Sequence, residues 1–191
     1  MKALALTSCA MLLIGCASKP AKTSEAEAYP ARGVQDGVTT FTDTSHGLRL
    51  TYPGAWEQME VEKDEAILVL SRLHDHVGMS MPPTVTVFAA SKQKDPGSRD
   101  LASLEDDYVR KARGGVKNFH LVETADDTLG GTPARRIVYT GSMLWLNVKA
   151  LSVITVHNGR PYVMMYLADP KRFDVGADDV RRMVESWEWM R

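Results

Sequence analysis

Apolar and polar residues alternate along the first half of the chain with the two-residue period of a β-strand. In 47–53, every second residue from Leu48 to Tyr52 is apolar, and a Pro-Gly turn signal ends the stretch. Two further apolar runs, 66–73 and 83–90, have the length of strands. The pattern therefore predicts three strands before residue 91.

A helical period replaces this alternation at two places. In 97–113, apolar residues recur three or four positions apart, a capping residue (Ser98 or Asp100) precedes them, and Gly114-Gly115 follows them. The first set is Leu101, Leu104, Tyr108 and Ala112, and the second set, near the carboxyl end, is Val180, Met183, Val184 and Trp187. Each set predicts an amphipathic helix that covers a core.

Between the two helices, the pattern predicts a meander of four strands: 118–129, 132–140, 145–157 and 160–168. Gly130-Gly131 and Asn158-Gly159 tolerate the positive φ that tight hairpin turns need. Residues 162–167 are apolar throughout, which favours a central strand covered on both faces. The predicted fold class is α+β, with a central antiparallel sheet flanked by helices.

The N-terminal pattern predicts a targeting segment. Lys2 precedes a short apolar stretch, 3–14, which is shorter than the roughly 20 apolar residues of a membrane span. It ends in Leu-Ile-Gly-Cys at 13–16, which resembles the lipobox of bacterial lipoproteins. That resemblance implies a signal peptide over 1–15, cleavage after Gly15 and lipid attachment to Cys16.

Residues 16–40 lack the apolar content of a core, which predicts that a flexible tether follows the lipidated cysteine. The folded domain is therefore expected over 41–191. The only cysteines are Cys9 and Cys16, so a processed chain would hold no thiol for catalysis or zinc binding. A net charge of −1 gives no electrostatic reason to expect a nucleic-acid partner.

The sharpest candidate for ligand chemistry is a stretch of imidazoles and thioethers, a donor set that suits copper: His74, His76, Met79 and Met81. The alternative interpretation is a polar connector with methionines as core filler. We expect no tight metal site there, because Gly78 and Pro82-Pro83 indicate a mobile connector. Ordering four ligands on it would cost chain entropy.

Other residues weaken a catalytic interpretation. His46, His120 and His157 fall in separate predicted elements, and Ser45-His46 and His157 are interpreted as loop and solvated hairpin residues. Glu62, Asp64 and Glu65 form an acidic connector. A glycosidase needs two carboxylates that face each other across a cleft, and a single loop does not show such a pair.

Tryptophans and arginines offer recognition chemistry as well as structure. Trp145, Trp187 and Trp189 could line a groove, although Trp187 is predicted to be a core residue and Trp56 to close the Pro53 turn. Arg135-Arg136 are neighbours on a strand, so they should point to opposite faces, and an anion-binding role is disfavoured.

Four segments together resemble the PsbP-like proteins. They are GLRLTYPGAWE at 47–57, GTPARRIVYTG at 131–141, NGRPYVMMYLA at 158–168 and ESWEW at 185–189. This group includes the Ran-binding Mog protein, the DcrB envelope lipoproteins and the mycobacterial LpqN-type lipoproteins. The resemblance implies an α/β/α sandwich over about 41–190, and it implies no catalytic site common to the group.

The resulting expectation is a lipid-anchored protein of the cell envelope that has no cofactor and no catalytic activity. It would bind a partner protein or assist envelope assembly. The alternatives are a copper or small-ligand binding protein and an unrecognised hydrolase. Ala17 follows Cys16 where inner-membrane retention would use Asp, so in a Gram-negative source the periplasmic face of the outer membrane is expected.

Overall fold

The computed structural model describes residues 37–61, 66–75, 80–90 and 100–190. In chain order, its elements are β1 (Val38–Asp43), β2 (Leu48–Pro53), β3 (Glu57–Gln58), β4 (Ala66–Ser71), a 3₁₀ turn (Leu73–Asp75), β5 (Thr84–Ala89), α1 (Leu101–Gly115), β6 (Lys117–Leu129), β7 (Thr132–Met143), β8 (Leu146–His157), β9 (Arg160–Ala168), α2 (Phe173–Glu185) and β10 (Glu188–Trp189). None of the described helices is long and apolar enough to span a membrane.

The described strands form two antiparallel sheets. The larger has seven strands in the order β3-β4-β5-β9-β8-β7-β6, and the smaller has three in the order β1-β2-β10. Three tight hairpins join β6 to β9, whereas β5 pairs with β9 across α1 and the whole meander. The C-terminal β10 pairs with β2, so the chain ends against one of its first strands.

Two apolar cores lie on opposite faces of the large sheet. The first core is covered by β2 and α2, with Leu48, Tyr166 and Met183 among its fully buried residues. The second is covered by α1, which packs Leu104 and Ala112 over β7 and β8. The expected α+β fold is therefore present, with a three-stranded sheet beside α2 on one face.

The prediction that 160–168 is a central strand is confirmed. Strand β9 lies between β5 and β8 and sends alternate side chains into the two cores: Met164 and Tyr166 into the first, Leu167 into the second. Helix α1 begins after Asp100, whose carboxylate accepts the Ser103 N–H at 2.7 Å, as the capping signal predicted.

Two boundaries differ from the predicted ones. Strand β1 begins at Val38, inside the segment assigned to the tether, because all six of its residues pair with β2. Its threonine-rich composition carries too little apolar signal to be recognised as a strand. Strand β7 continues to Met143, and the next turn is the Leu144-Trp145 pair, where the sequence pattern predicted the start of a strand.

Candidate functional site

The predicted metal ligands and the lipidation site fall largely outside the described part of the chain. Cys16, His76 and Met79 lie there, so their roles remain predictions. His74 belongs to the 3₁₀ turn that follows β4, and Met81 packs against the second core. Among the described residues, no group of three His, Cys, Asp or Glu side chains is arranged to hold a metal ion.

The turn between β1 and β2 contains the three residue types of a hydrolytic triad. Asp43 Oδ2 lies 2.6 Å from His46 Nδ1, and Ser45 Oγ lies 3.1 Å from that same nitrogen and 2.5 Å from Asp43 Oδ1. A triad needs the serine on the other imidazole nitrogen, so that the proton can pass to the ring. Burial alone would raise the pKa of Asp43, but hydrogen bonds from Ser45 and His46 lower it below its usual value. This arrangement caps a turn.

Two of the three candidate tryptophans pack together instead of lining an open groove. Trp187 is 3% exposed, which confirms it as a core residue. Trp189 lies 5.3 Å from it between ring centroids, contacts Tyr162 at 4.8 Å and donates its indole N–H to the Leu129 carbonyl at 3.1 Å. We call Trp187, Trp189, Tyr162 and His157 the Trp189 cluster.

His157 directly precedes the β8–β9 turn, as predicted, but its ring belongs to this cluster and is partly buried, so it is not a solvated side chain. Its ring stacks on Trp189 with centroids 4.0 Å apart and planes 1° from parallel. Partial burial lowers the pKa of His157 below its usual value. The contact is not visible in sequence because β10 brings Trp189 to the β8–β9 turn only through its pairing with β2.

The third tryptophan has the opposite environment. Leu144 and Trp145 form the turn of the β7–β8 hairpin and are 54% and 74% exposed. We call these two residues the β7–β8 tip. Exposed, large apolar side chains on a rigid hairpin are characteristic of recognition surfaces.

Arg135 and Arg136 point to opposite faces, as predicted, and both engage carboxylates. Arg135 Nε lies 3.1 Å from Glu105 of α1, and Arg135 also pairs with Asp126. Arg136 Nη2 lies 2.8 Å from Glu123. These ion pairs join α1, β6 and β7, so the two arginines serve the packing of this edge and do not form an open anion site.

A charge network that was not predicted joins α2 to the end of β4. Asp179 is 8% exposed, and its carboxylate accepts the Trp56 indole N–H at 2.9 Å and Arg72 Nη1 at 2.8 Å. The Trp56 backbone N–H also donates to the Pro53 carbonyl at 3.0 Å, which confirms that Trp56 closes this turn. Because Asp179 has partners for its buried charge, the network is structural.

One groove lies between α1 and the edge strand β6. Its volume is about 350 Å³. Its lining mixes apolar and charged side chains: Glu105, Asp106, Val109, Arg110, Arg113, Leu121 and Thr124. Beside it, an irregularity in the β6–β7 register between Leu121 and Glu123 leaves Val122 unpaired and 51% exposed. The groove and Val122 form a second candidate surface, the α1–β6 edge.

No family model and no curated protein matches the sequence, whereas several solved structures match the fold. Cyanobacterial PsbP (CyanoP) from Synechocystis sp. PCC 6803 is 14% identical, with a TM-score of 0.61 over 85% of this chain and 97% of that one. LpqN, involved in cell envelope biogenesis of Mycobacterium tuberculosis, is 15% identical, with a TM-score of 0.58 over 81% and 91%. A Pseudomonas aeruginosa protein of unknown function is 14% identical, with a TM-score of 0.53 over 75% and 91%.

These likenesses establish the PsbP-like α+β fold that the four sequence segments indicated. At 14–15% identity they establish the fold alone. The function has to be argued from the surfaces of this chain.

Proposed function

We propose that this chain is a cell-envelope protein without catalytic activity, held at a membrane by lipid on Cys16, and that it binds a partner protein or assists envelope assembly. The Leu-Ile-Gly-Cys sequence at 13–16 supports the anchor. The likeness to LpqN, which is involved in cell envelope biogenesis, supports the location. In a Gram-negative source, Ala17 favours the periplasmic face of the outer membrane.

The observation that carries partner binding is the α1–β6 edge. In the described part of the chain, β6 ends the strand order of the large sheet and pairs only with β7. An extended segment of a partner could lie along such an edge and place an apolar side chain in the adjoining groove, against Val109 and Leu121. The charged rim of Glu105, Asp106 and Arg110 would set the polar pattern of that segment.

The geometry of the β1–β2 turn supports the proposal that the protein is not a hydrolase. Asp43 and Ser45 both meet the same nitrogen of His46, and the His46 carbonyl accepts the Tyr162 hydroxyl at 3.2 Å. These bonds fix the turn against the start of β9. We therefore expect cells that carry Ser45→Ala to have the same phenotype as cells that carry the wild-type protein.

Site-specific photo-crosslinking in the source bacterium tests the partner surface. A photoreactive amino acid replaces Val122 in the full chain, and the matched control carries it at Val175, an equally apolar residue of α2 that is 45% exposed. We expect a discrete, light-dependent protein adduct from position 122 and none from 175. Val122→Asp together with Arg110→Glu should weaken co-purification of the crosslinked partner by at least about ten-fold.

Two results would overturn these proposals. The same adducts at 122 and 175, or no adduct at 122, would reject the α1–β6 edge as the partner surface. Membrane fractionation with fatty-acid labelling tests the anchor separately: Cys16→Ser should release the protein and remove the label. Unlabelled wild-type protein that stays with the membrane would reject lipidation of Cys16.

A further inference from the structure

The β7–β8 tip differs from the other two turns of the meander in its chemistry. Those turns use Gly130-Gly131 and Asn158-Gly159, residues that accept positive φ readily. At the tip, Leu144 adopts a φ of 55°, a conformation that is unfavourable for leucine. The fold therefore holds a strained backbone where two apolar side chains contribute little to either core.

Basic side chains surround this end of the sheet. Lys117 is in register with Ser142, two residues before the turn residue Leu144. Arg113 lies in the last turn of α1, four residues before Lys117 in the sequence. Lys149 of β8 lies with its Nζ 4.2 Å from the centroid of the Phe173 ring at the start of α2. Lys171 and Arg172 lie between β9 and α2, together with Asp169. We call Arg113, Lys117, Lys149, Lys171 and Arg172 the basic collar.

Gly37, the first residue that the structure describes, lies toward the same end. Gly37 accepts a hydrogen bond from the Gly54 N–H at 2.7 Å, beside the turn where Trp56 packs on Tyr166 of β9. The other end of the β1–β2 pair, at His46, contacts Tyr162. Because Tyr166 is nearer than Tyr162 to the end of β9 that adjoins α2, Gly37 lies toward the tip end of the domain.

We propose that the β7–β8 tip inserts into the interfacial layer of an anionic phospholipid bilayer and that the basic collar binds the headgroup phosphates. Tryptophan favours the membrane–water interface, and lysine or arginine beside it is attracted to anionic lipids. Lipid on Cys16 alone would not select which face of the domain meets the membrane, whereas this second contact would select one. The proposal rests on the membrane location proposed above, and of the residues that line the α1–β6 groove it uses only Arg113.

Fluorescence quenching of the full lipidated chain in vesicles tests the insertion. Vesicles of phosphatidylcholine with about 30% phosphatidylglycerol carry brominated acyl chains, which quench only indoles that reach the bilayer. Trp145→Phe is the matched control, because Trp56 and Trp187 are buried in the domain. We expect quenching in the wild type that Trp145→Phe removes.

Vesicle co-flotation of the Cys16→Ser chain separates the tip from the anchor. Relative to that chain, adding Trp145→Ser should weaken binding to anionic vesicles about ten-fold, and adding Lys117→Gln should weaken it about five-fold. Lys117→Gln should leave the weaker binding to pure phosphatidylcholine unchanged, whereas Trp145→Ser should reduce it as well. This comparison stays informative even if Cys16 is not lipidated, so the two proposals fail separately.

Equal quenching in the wild type and in Trp145→Phe, or no quenching in either, would overturn membrane insertion. Insertion is also rejected if Trp145→Ser leaves flotation unchanged but removes the protein adduct formed from position 122. In that case the tip would be a protein contact, continuous with the partner surface.

Discussion

The two ends of the large sheet carry the same side chain in opposite environments. At the Trp189 cluster, glycine-containing turns leave room for an indole that stacks, packs and donates a hydrogen bond. At the β7–β8 tip, an indole is left in solvent above a leucine with positive φ. The first end packs its aromatic rings, whereas the second exposes two large apolar side chains and places a leucine at positive φ. This is the pattern expected when a surface is retained for binding.

The largest effect should come from the Trp189 cluster. Trp187→Ala removes a residue that is 3% exposed and should lower the free energy of unfolding by about 3–5 kcal/mol. Trp145→Ala, at the other end, should change it by less than about 0.5 kcal/mol. Urea unfolding of both variants measures the difference. Equal losses would mean that the two ends contribute alike to stability.

Two neighbouring glycines sharpen the comparison within the β6–β7 turn. A Cβ on Gly130 would lie 2.6 Å from Trp189 Nε1, whereas a Cβ on Gly131 meets nothing within 4 Å. Both have positive φ, so alanine strains the backbone at either position. Gly130→Ala should therefore cost about 1–3 kcal/mol more than Gly131→Ala, as thermal unfolding would show. Similar costs would indicate that the Trp189 ring moves aside freely.

A turn exchange should make the exposed end behave like the packed end. Replacing Leu144 by Asn relieves the positive φ at that residue, whereas glycine at 145, where φ is not positive, offsets part of the gain. We expect a net gain of up to about 1 kcal/mol in the free energy of unfolding. The same double variant should lose vesicle binding. A loss of stability would mean that the native tip has packing that its exposure does not reveal.

The smallest expected effect is the change of folding stability with pH. Burial lowers the pKa of His157, so the unfolded chain binds the proton more readily than the folded one. Stability should therefore be full above the unfolded-state pKa of about 6.5 and fall as the pH drops below it. His157→Phe keeps a ring on Trp189 and should flatten the pH dependence of urea unfolding between about pH 7.5 and 5. If His157→Phe shows the same dependence of stability on pH as the wild type, that dependence arises from other titrating groups.

Local patterns in the sequence are sufficient to predict most of the fold. Period-two runs and glycine turns predict the meander, and the unbroken apolar run of β9 predicts its central place. Strand β1 escapes such a prediction because it is defined by its pairing with β2, and its own residues are mostly polar. Long-range pairing cannot be seen in a window of a few residues.

The candidate surfaces are harder to predict for the same reason. Spacing singles out Trp187 as a core residue, but no local signal separates Trp189 from Trp145. Only the pairing of β10 with β2 packs Trp189 against Trp187. The unusual turn residues at the tip are the available signal, since Leu144-Trp145 occupies a place that Gly or Asn normally holds. The groove of the α1–β6 edge is formed by the packing of α1, and no sequence motif marks it.

The ladder between β5 and β9 has a consequence for how the chain reaches its folded state. Thr84 lies beside Leu167, although α1 and three strands separate them in sequence. The hairpins from β6 to β9 can close locally within microseconds, and β4 pairs with β5, but β5 finds its second partner only after β9 has been synthesised. Until then, the unpaired edge of β5 would remain open to aggregation or to a chaperone. Pulse-labelled hydrogen exchange should show amides of β6–β8 protected before those of β4 and β5.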